Sequence, residues 1–275
     1  MTPPVAMTIA GSDSGGGAGV QADLRTFAAL GVHGACALAA LTAQSTVAVE
    51  AVHVVPEDFL VAQVCTVAGD LDVRATKTGM LATAENVRAV AELAQRSLLG
   101  RLVVDPVMVA SSGARLLDPG AEAAYREHLL PAALVATPNR QEAAVLVGGE
   151  LDGTRAVHDA ARVLASLGPQ VVVVTGGDHA SGRAVDVVAT ARGTWELAAP
   201  AVETTNVHGT GCSFAAAIAA RLAHGDTALD AVRCAKAFVH RALTGAAGWR
   251  LGAGPGPIDH LGWALPAGRP PGAAP

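Results

Sequence analysis

The stretch VVVVTGGDH, residues 171–179, sets four consecutive valines ahead of a threonine and a glycine turn. A strand with one wet face alternates apolar and polar residues, whereas a strand covered on both faces is apolar throughout and rich in β-branched side chains. The run therefore predicts a central strand of a parallel sheet with helices on both sides. The same reading applies to residues 5–10 (VAMTIA), 102–109 (LVVDPVMV) and 134–137 (LVAT), and each run empties into a loop containing Gly, Pro or Asn. Helical periodicity covers residues 18–30, 84–99, 140–147, 156–167, 212–224 and 228–242; in the first of these Val20, Leu24, Phe27 and Leu30 share one face. Strands alternating with helices are the signature of βαβ units, and ligands bind such sheets at the carboxyl ends of the strands.

Residues 33–55 are mostly small and β-branched and are expected to form short strands covering a site. From residue 264 the sequence ALPAGRPPGAAP has too little apolar mass to pack. The expected organisation is one domain over residues 1–263 and an unstructured tail over 264–275.

Hydrophobic residues make up 51% of the 275-residue chain and aromatics only 3%, so the core is built from Ala, Val and Leu. A net charge of −5 with no run of Lys or Arg argues against a nucleic-acid partner or an acidic membrane surface. No apolar segment is long enough to span a bilayer, and residues 1–8 lack a basic signal-peptide region, so a cytoplasmic location is expected. Cys36, Cys65, Cys212 and Cys234 form no CxxC pair, which weighs against a zinc ribbon and a disulfide scaffold. GxSxG and HExxH are also missing, which weakens hydrolase and zinc-enzyme readings.

The loops carry the chemistry. In NVHGTGCSFAAAIAARLAHG, residues 206–225, two glycines and Cys212 stand where a loop becomes an apolar helix. The first N–H groups of a helix have no internal partner and the helix dipole adds positive potential, so an anion fits beside Gly209 and Gly211. The same field favours a Cys212 thiolate, although a small buried cysteine in a packed helix is an equal reading. The first strand runs into GSDSGGGAGVQAD, residues 11–23, which is neither a Walker loop nor a Rossmann fingerprint. Asp23 either faces a site there or favours the helix start. Gln44, in LTAQST, can both donate to and accept from a heterocycle edge. KTGML (77–81) and DPVMVASSG (105–113) place charged residues at element ends, where an edge residue beside core is the simpler account. In TPNRQEAAVLVG, residues 137–148, Asn139 and Glu142 have capping-box spacing and also suit a hydrated Mg²⁺ beside phosphates.

Taken together, AGSDSGGGAGVQADLRTF, LTAQST, KTGML, DPVMVASSG, TPNRQEA and NVHGTGCS occur in the order seen in the hydroxymethylpyrimidine/phosphomethylpyrimidine kinases of thiamin biosynthesis, and the chain resembles that family from about residue 7 to about residue 258. The resemblance implies a ribokinase-like three-layer α/β/α sandwich with a mainly parallel central sheet and a small covering flap. It implies an ATP- and Mg²⁺-dependent kinase, a homodimer, that phosphorylates 4-amino-5-hydroxymethyl-2-methylpyrimidine and then its monophosphate. Substrate contacts carry over to Gly11, Asp23, Gln44, Met80 and Val107, and the anion hole to Gly209, Thr210 and Gly211. The catalytic proton acceptor falls on Cys212, ATP or phosphate contacts on Asn139, Glu142, Thr175 and Lys236, and Mg²⁺ on Asn139 and Glu142 through water. The family commonly has Lys where this chain has Ser111 and Thr175, with Lys236 or Arg115 as the basic residues that could compensate. A pyridoxal or pyridoxine kinase is the enzymatic alternative, and a catalytically weak pyrimidine-binding regulator the non-enzymatic one.

Overall fold

A computed structural model describes residues 2–109, 113, 116–118, 120–176 and 182–264 of the chain. Its centre is a nine-stranded sheet in the order β3-β2-β1-β4-β5-β6-β7-β8-β9. Strands β1 (Val5–Asp13), β2 (His33–Gln44), β4 (Val73–Thr78), β5 (Arg101–Val104), β6 (Val135–Ala136) and β7 (Val171–Val174) run parallel. Antiparallel strands close both edges: β3 (Val49–Val54) beside β2, and the hairpin β8 (Arg183–Thr190) and β9 (Gly193–Pro200) beside β7.

The four valines of β7 account for the layering. Val172 and Val174 pack with helices α2 (Glu57–Asp70), α3 (Ala84–Gln95), α4 (Ala121–Ala124), α5 (Arg140–Val147) and α6 (Gly153–Ser166). Val171 and Val173 point the other way, into a core shared with α1 (Gly19–Ala29), α7 (Thr210–His224) and α8 (Ala228–Ala246). A side-chain period of two between two apolar layers requires apolar residues at every position of the strand. α7 is itself buried nearly all round, with Ala215 to Ala217 and Ala219 and Ala220 fully inaccessible. Alanine suits it twice, as the best helix former and as a side chain small enough to let the backbone lie close to the sheet.

The expected helices are all present within a few residues, but the strands differ. The run at 102–109 leaves the sheet after Val104, because Asp105 and Pro106 begin a cavity-lining loop. Residues 33–55 form one twelve-residue strand and a hairpin partner, which extend the sheet and carry the covering turn at its tip. Elements α2, β4, β8 and β9 were not anticipated. The tail beyond Ala264, Ser111, Arg115 and most of the TGGDH turn lie outside the described residues.

Candidate active site

The carboxyl ends of β1, β2, β4, β5, β6 and β7 and the N-terminus of α7 open into one cleft of about 870 Å³ including its mouth. Its walls contain Gly11, Gln44, Met80 and Val107 on one side, and Asn139, Glu142 and Thr175 on another. Gly209, Thr210, Gly211 and Cys212 complete it. These expected residues come together from loops more than 150 positions apart because a doubly wound sheet collects its strand ends at one edge.

The anion loop depends on glycine at one point. Gly209 caps α7 at φ +79°, and a Cβ there would lie 2.0 Å from the Gly17 carbonyl oxygen, so the loop and the glycine-rich turn after β1 touch backbone to backbone. The Thr210 N–H bonds Val207 O and the Ser213 N–H bonds Gly209 O. That leaves the Gly211 and Cys212 N–H groups of the first turn without a backbone acceptor among the described residues. Asp13 fastens the two loops: its carboxylate accepts from the N–H groups of Gly15, Gly17 and Ala18 at 2.8, 3.0 and 2.8 Å, and lies 2.9 Å from His208 Nε2. Burial works against the charge, but the His208 bond and these backbone donors hold the Asp13 carboxyl below its ordinary range.

Gln44 and the apolar wall face the same space. Gln44 Oε1 accepts from Thr42 Oγ1 at 3.1 Å, and its Nε2 has no protein acceptor among the described residues. Met80 and Val107 belong to one small apolar cluster with Ala40, Ala82 and Leu116. A Cβ on Gly11 would stand 3.0 Å from Met80 Sδ, so glycine keeps the thioether in place.

Two expected residues do not reach the cleft. Asp23 is fully buried under it, where it accepts from Thr8 Oγ1 at 2.6 Å and from Lys77 Nζ at 2.9 and 3.1 Å. It therefore holds Lys77, whose ammonium lines the floor, and burial pushes the Asp23 carboxyl up against the pull of Lys77. Lys236 on α8 is taken by Asp186 of β8 at 2.7 Å and does not line the cleft. Thr175 lines it, with its backbone bonded to Pro138 O and to the Arg140 N–H.

Cys212 is placed as expected, but its charge state is not. Burial pushes the thiol up to about 12 against the attraction of Lys77, with Asp23 and Asp105 adding to the rise. Cys212 is a thiol at neutral pH, because the low-dielectric surroundings outweigh the helix-end field. Lys77 stays charged: burial disfavours the ammonium, but Asp23 first and then Asp105 hold it above its ordinary value.

Asn139 and Glu142 make both bonds of a capping box, at 2.9 and 2.8 Å. Asp105 lies beside them with one oxygen, Oδ2, buried and without a hydrogen-bond partner, 4.0 Å from Lys77 Nζ. Burial and then the Asp105 charge push Glu142 to about 8, and burial with a smaller contribution from Asp23 pushes Asp105 to about 6 against the pull of Lys77. Sequence reasoning missed Lys77, Asp105, Asp13 and His208. A signal was available for Asp105, an acid within a run read as a buried strand; Lys77 lies near the end of a strand that the sequence does not announce.

Comparisons with known proteins bear on the family and the fold. A family profile described as phosphomethylpyrimidine kinase matches residues 13–259. A protein of Rhizobium meliloti named hydroxymethylpyrimidine/phosphomethylpyrimidine kinase is 47% identical over 258 residues, covering 94% of this chain and 97% of that protein. Among solved structures, the pyridoxal kinase of Staphylococcus aureus in complex with AMP-PCP and pyridoxal superposes with a TM-score of 0.86 at 35% identity, over 96% of each chain. The phosphomethylpyrimidine kinase of Clostridium difficile does so with a TM-score of 0.76 at 34% identity, over 87% of this chain and 99% of that one.

Proposed function

The chain belongs to the phosphomethylpyrimidine kinase family, and from that membership we propose that it transfers the γ-phosphoryl group of ATP to the hydroxymethyl oxygen of 4-amino-5-hydroxymethyl-2-methylpyrimidine, and then to the monophosphate, in thiamin biosynthesis. The observation that carries the reading is the single cleft in which a carboxamide, an apolar wall and a helix N-terminus with two available N–H groups meet.

Phosphoryl transfer asks the protein for position and charge stabilisation more than for covalent chemistry. Gln44 suits the ring nitrogens and exocyclic amine, and Met80 with Val107 supports the ring by contact. The first turn of α7 presents fixed donors to phosphate oxygens, which need no reorganisation as charge develops. To take the hydroxyl proton Cys212 must first give up its own, and Lys77 is the cation beside the thiolate so formed; accepting the substrate proton then returns Cys212 to the thiol.

Mg²⁺ fits the acidic corner. Asp105 supplies an unpartnered buried oxygen, and Asn139 and Glu142 lie alongside for contacts through water. Among the described residues no group of three or more His, Cys, Asp or Glu is arranged to hold a metal alone, as suits an ion that keeps several waters and shares phosphate oxygens. When bound, the ion neutralises donor phosphate charge.

A pyridoxal kinase activity is the second reading, because a pyridoxal kinase shares the fold at a TM-score of 0.86. An ATP-coupled assay with the pyrimidine alcohol, its monophosphate and pyridoxal, followed by mass analysis, tests both. A kcat/KM for pyridoxal above that for the pyrimidine alcohol reverses the assignment, and binding of the alcohol with no phosphorylated product would leave a regulator.

The kinase domain spans residues 1–263 in this reading. A homodimer is supported by the β2–β3 hairpin at the end of the described sheet, where Leu41 of β2, Val47 of the turn and Val52 and Val54 of β3 are exposed; sedimentation of a monomer at micromolar concentration would contradict it. A cytoplasmic site of action accords with the absence, among the described residues, of any helix long and apolar enough to cross a membrane.

A further inference from the structure

After α8, residues 250–260 (RLGAGPGPIDH) make no helix and only one isolated bridge, between Pro257 and His208, yet they are bonded to both sides of the cleft. On the substrate side, the Gly254 N–H donates to Thr46 Oγ1 at 3.1 Å, in the turn two residues beyond Gln44. On the phosphate side, the Gly256 N–H donates to Asn206 Oδ1 at 3.1 Å and Gly256 O accepts from the His208 N–H at 3.0 Å. His260 Nε2 then lies 2.8 Å from Ser213 Oγ, which itself is 2.8 Å from Gly209 O.

Close approach is written into the sequence here. A Cβ on Gly254 would lie 2.1 Å from Thr46 O, and one on Gly256 would lie 2.3 Å from Asn206 Oδ1. Pro255 and Pro257 fix φ on either side of Gly256 and stiffen the segment between its two anchor points. Asn206 adds a third tie, since its Nδ2 donates to Ala246 O and Trp249 O at 2.7 and 2.9 Å.

The roles in the His260 link follow the ring's tautomer: a serine hydroxyl has one proton, so if Ser213 Oγ–H is donated to Gly209 O, His260 shares an Nε2–H. Gly209 O, which also accepts the Ser213 N–H at 2.9 Å, is thereby fixed, and with it the peptide plane that opens the anion loop.

We propose that residues 250–260 act as a strap that sets the distance between the substrate hairpin and the phosphate loop. Gly254 is a positioning residue for Gln44, and His260 a positioning residue for Gly209. The inference rests on the kinase reading for its kinetic signature. None of the family-implied contacts lies in the strap, and its two ends are expected to fail differently.

The test compares wild type, His260→Ala, His260→Gln and Gly254→Ala, each with a thermal melt. His260→Ala should lower kcat about tenfold or more with the KM of the pyrimidine alcohol within about twofold, and His260→Gln, whose Nε2 can donate, should recover most of it. Gly254→Ala should raise that KM about fivefold or more with kcat within about twofold. Unchanged kcat in His260→Ala, a His260→Gln as poor as His260→Ala, or one shared pattern for both ends overturns the strap. If His260→Ala does not fold, Ser213→Ala breaks the same link and carries that arm. Wild type without turnover would fail the kinase reading alone. Calorimetric affinities for the pyrimidine alcohol and for AMP-PCP would then decide the strap, with Gly254→Ala weakening only the first and His260→Ala only the second.

Discussion

Replacing Asp23 by Asn leaves the Lys77 ammonium fully buried against a neutral amide, with Asp105, 4.0 Å away, as its remaining carboxylate. Both partners of the native pair have side-chain exposures of 0%, so water screens nothing. Removing one member of such a pair costs about 3–5 kcal/mol, because the surviving charge keeps its desolvation penalty and loses its partner. For a chain of this size about 1 kcal/mol moves the melting temperature by roughly 2–4 °C, so a fall of about 6–20 °C is expected. Lys77→Met should cost less, since burial already favours a protonated Asp23 that can keep its Thr8 bond. The double variant Asp23→Asn/Lys77→Met removes both charges and should melt above Asp23→Asn alone. Initial rates measured beside the melts separate stability from catalysis: the double variant regains stability but not turnover, because Lys77 lines the cleft. An Asp23→Asn protein that melts within about 2 °C of wild type and shows only a raised KM for the pyrimidine alcohol would refute the account and return Asp23 to the substrate.

Three further outcomes are expected. Gly209→Ala puts a Cβ 2.0 Å from Gly17 O at φ +79°, so it should lower both melting temperature and turnover; Gly211→Ala, with nothing within 4 Å, should melt like wild type. His260 is pushed down to about 4 from 6.5 by burial and by Arg25, against the effects of Ile258 and Asp259. A depressed pKa gives stability that is present above pH 6.5 and lost as pH falls through 4, so wild type should lose about 3 kcal/mol more than His260→Gln across that window in denaturant titrations. Cys212, a thiol pushed up to about 12, should react slowly with iodoacetamide at pH 7 in the ligand-free protein. If it takes the hydroxyl proton, kcat should climb with pH between about 7 and 9, and Cys212→Ala should lower turnover far more than affinity; a flat profile or undiminished turnover would remove Cys212 from that role.

What could be read from the chain alone depended on whether the deciding interaction was local. Val171 to Val174 announce a strand buried on both faces because each valine records its own surroundings, and Asn139 with Glu142 announce a helix start because their bonds span three residues. β4 was illegible for the opposite reason. VRATKT looks like a surface segment, and its Lys77 is tolerable inside only because Asp23, 54 residues away, neutralises it. The Asp13–His208 tie spans 195 residues and has no local trace. Cys212 illustrates the limit most directly. Its helix-end position is visible in the sequence and argues for a thiolate, while the burial that wins is supplied by strands and loops that assemble only in the fold.

The charge balance of the cleft argues for a cation in the proposed chemistry. Among the described lining residues Lys77 is the only Lys or Arg, and its charge is already matched by Asp23 beneath it. Asp105 and Glu142 add acid; burial raises both carboxyls, and the Asp105 charge raises Glu142 further. Thr175 brings no charge. The floor is therefore neutral to negative where a polyphosphate would have to lie, and the two free N–H groups at the start of α7 supply only about half a positive charge between them and the helix dipole. A nucleotide with three or four negative charges can be accommodated beside these carboxylates only if it brings positive charge with it. Mg²⁺ would do so, and it would also give Asp105 Oδ2, which has no hydrogen-bond partner and only Lys77 at 4.0 Å, a closer cation.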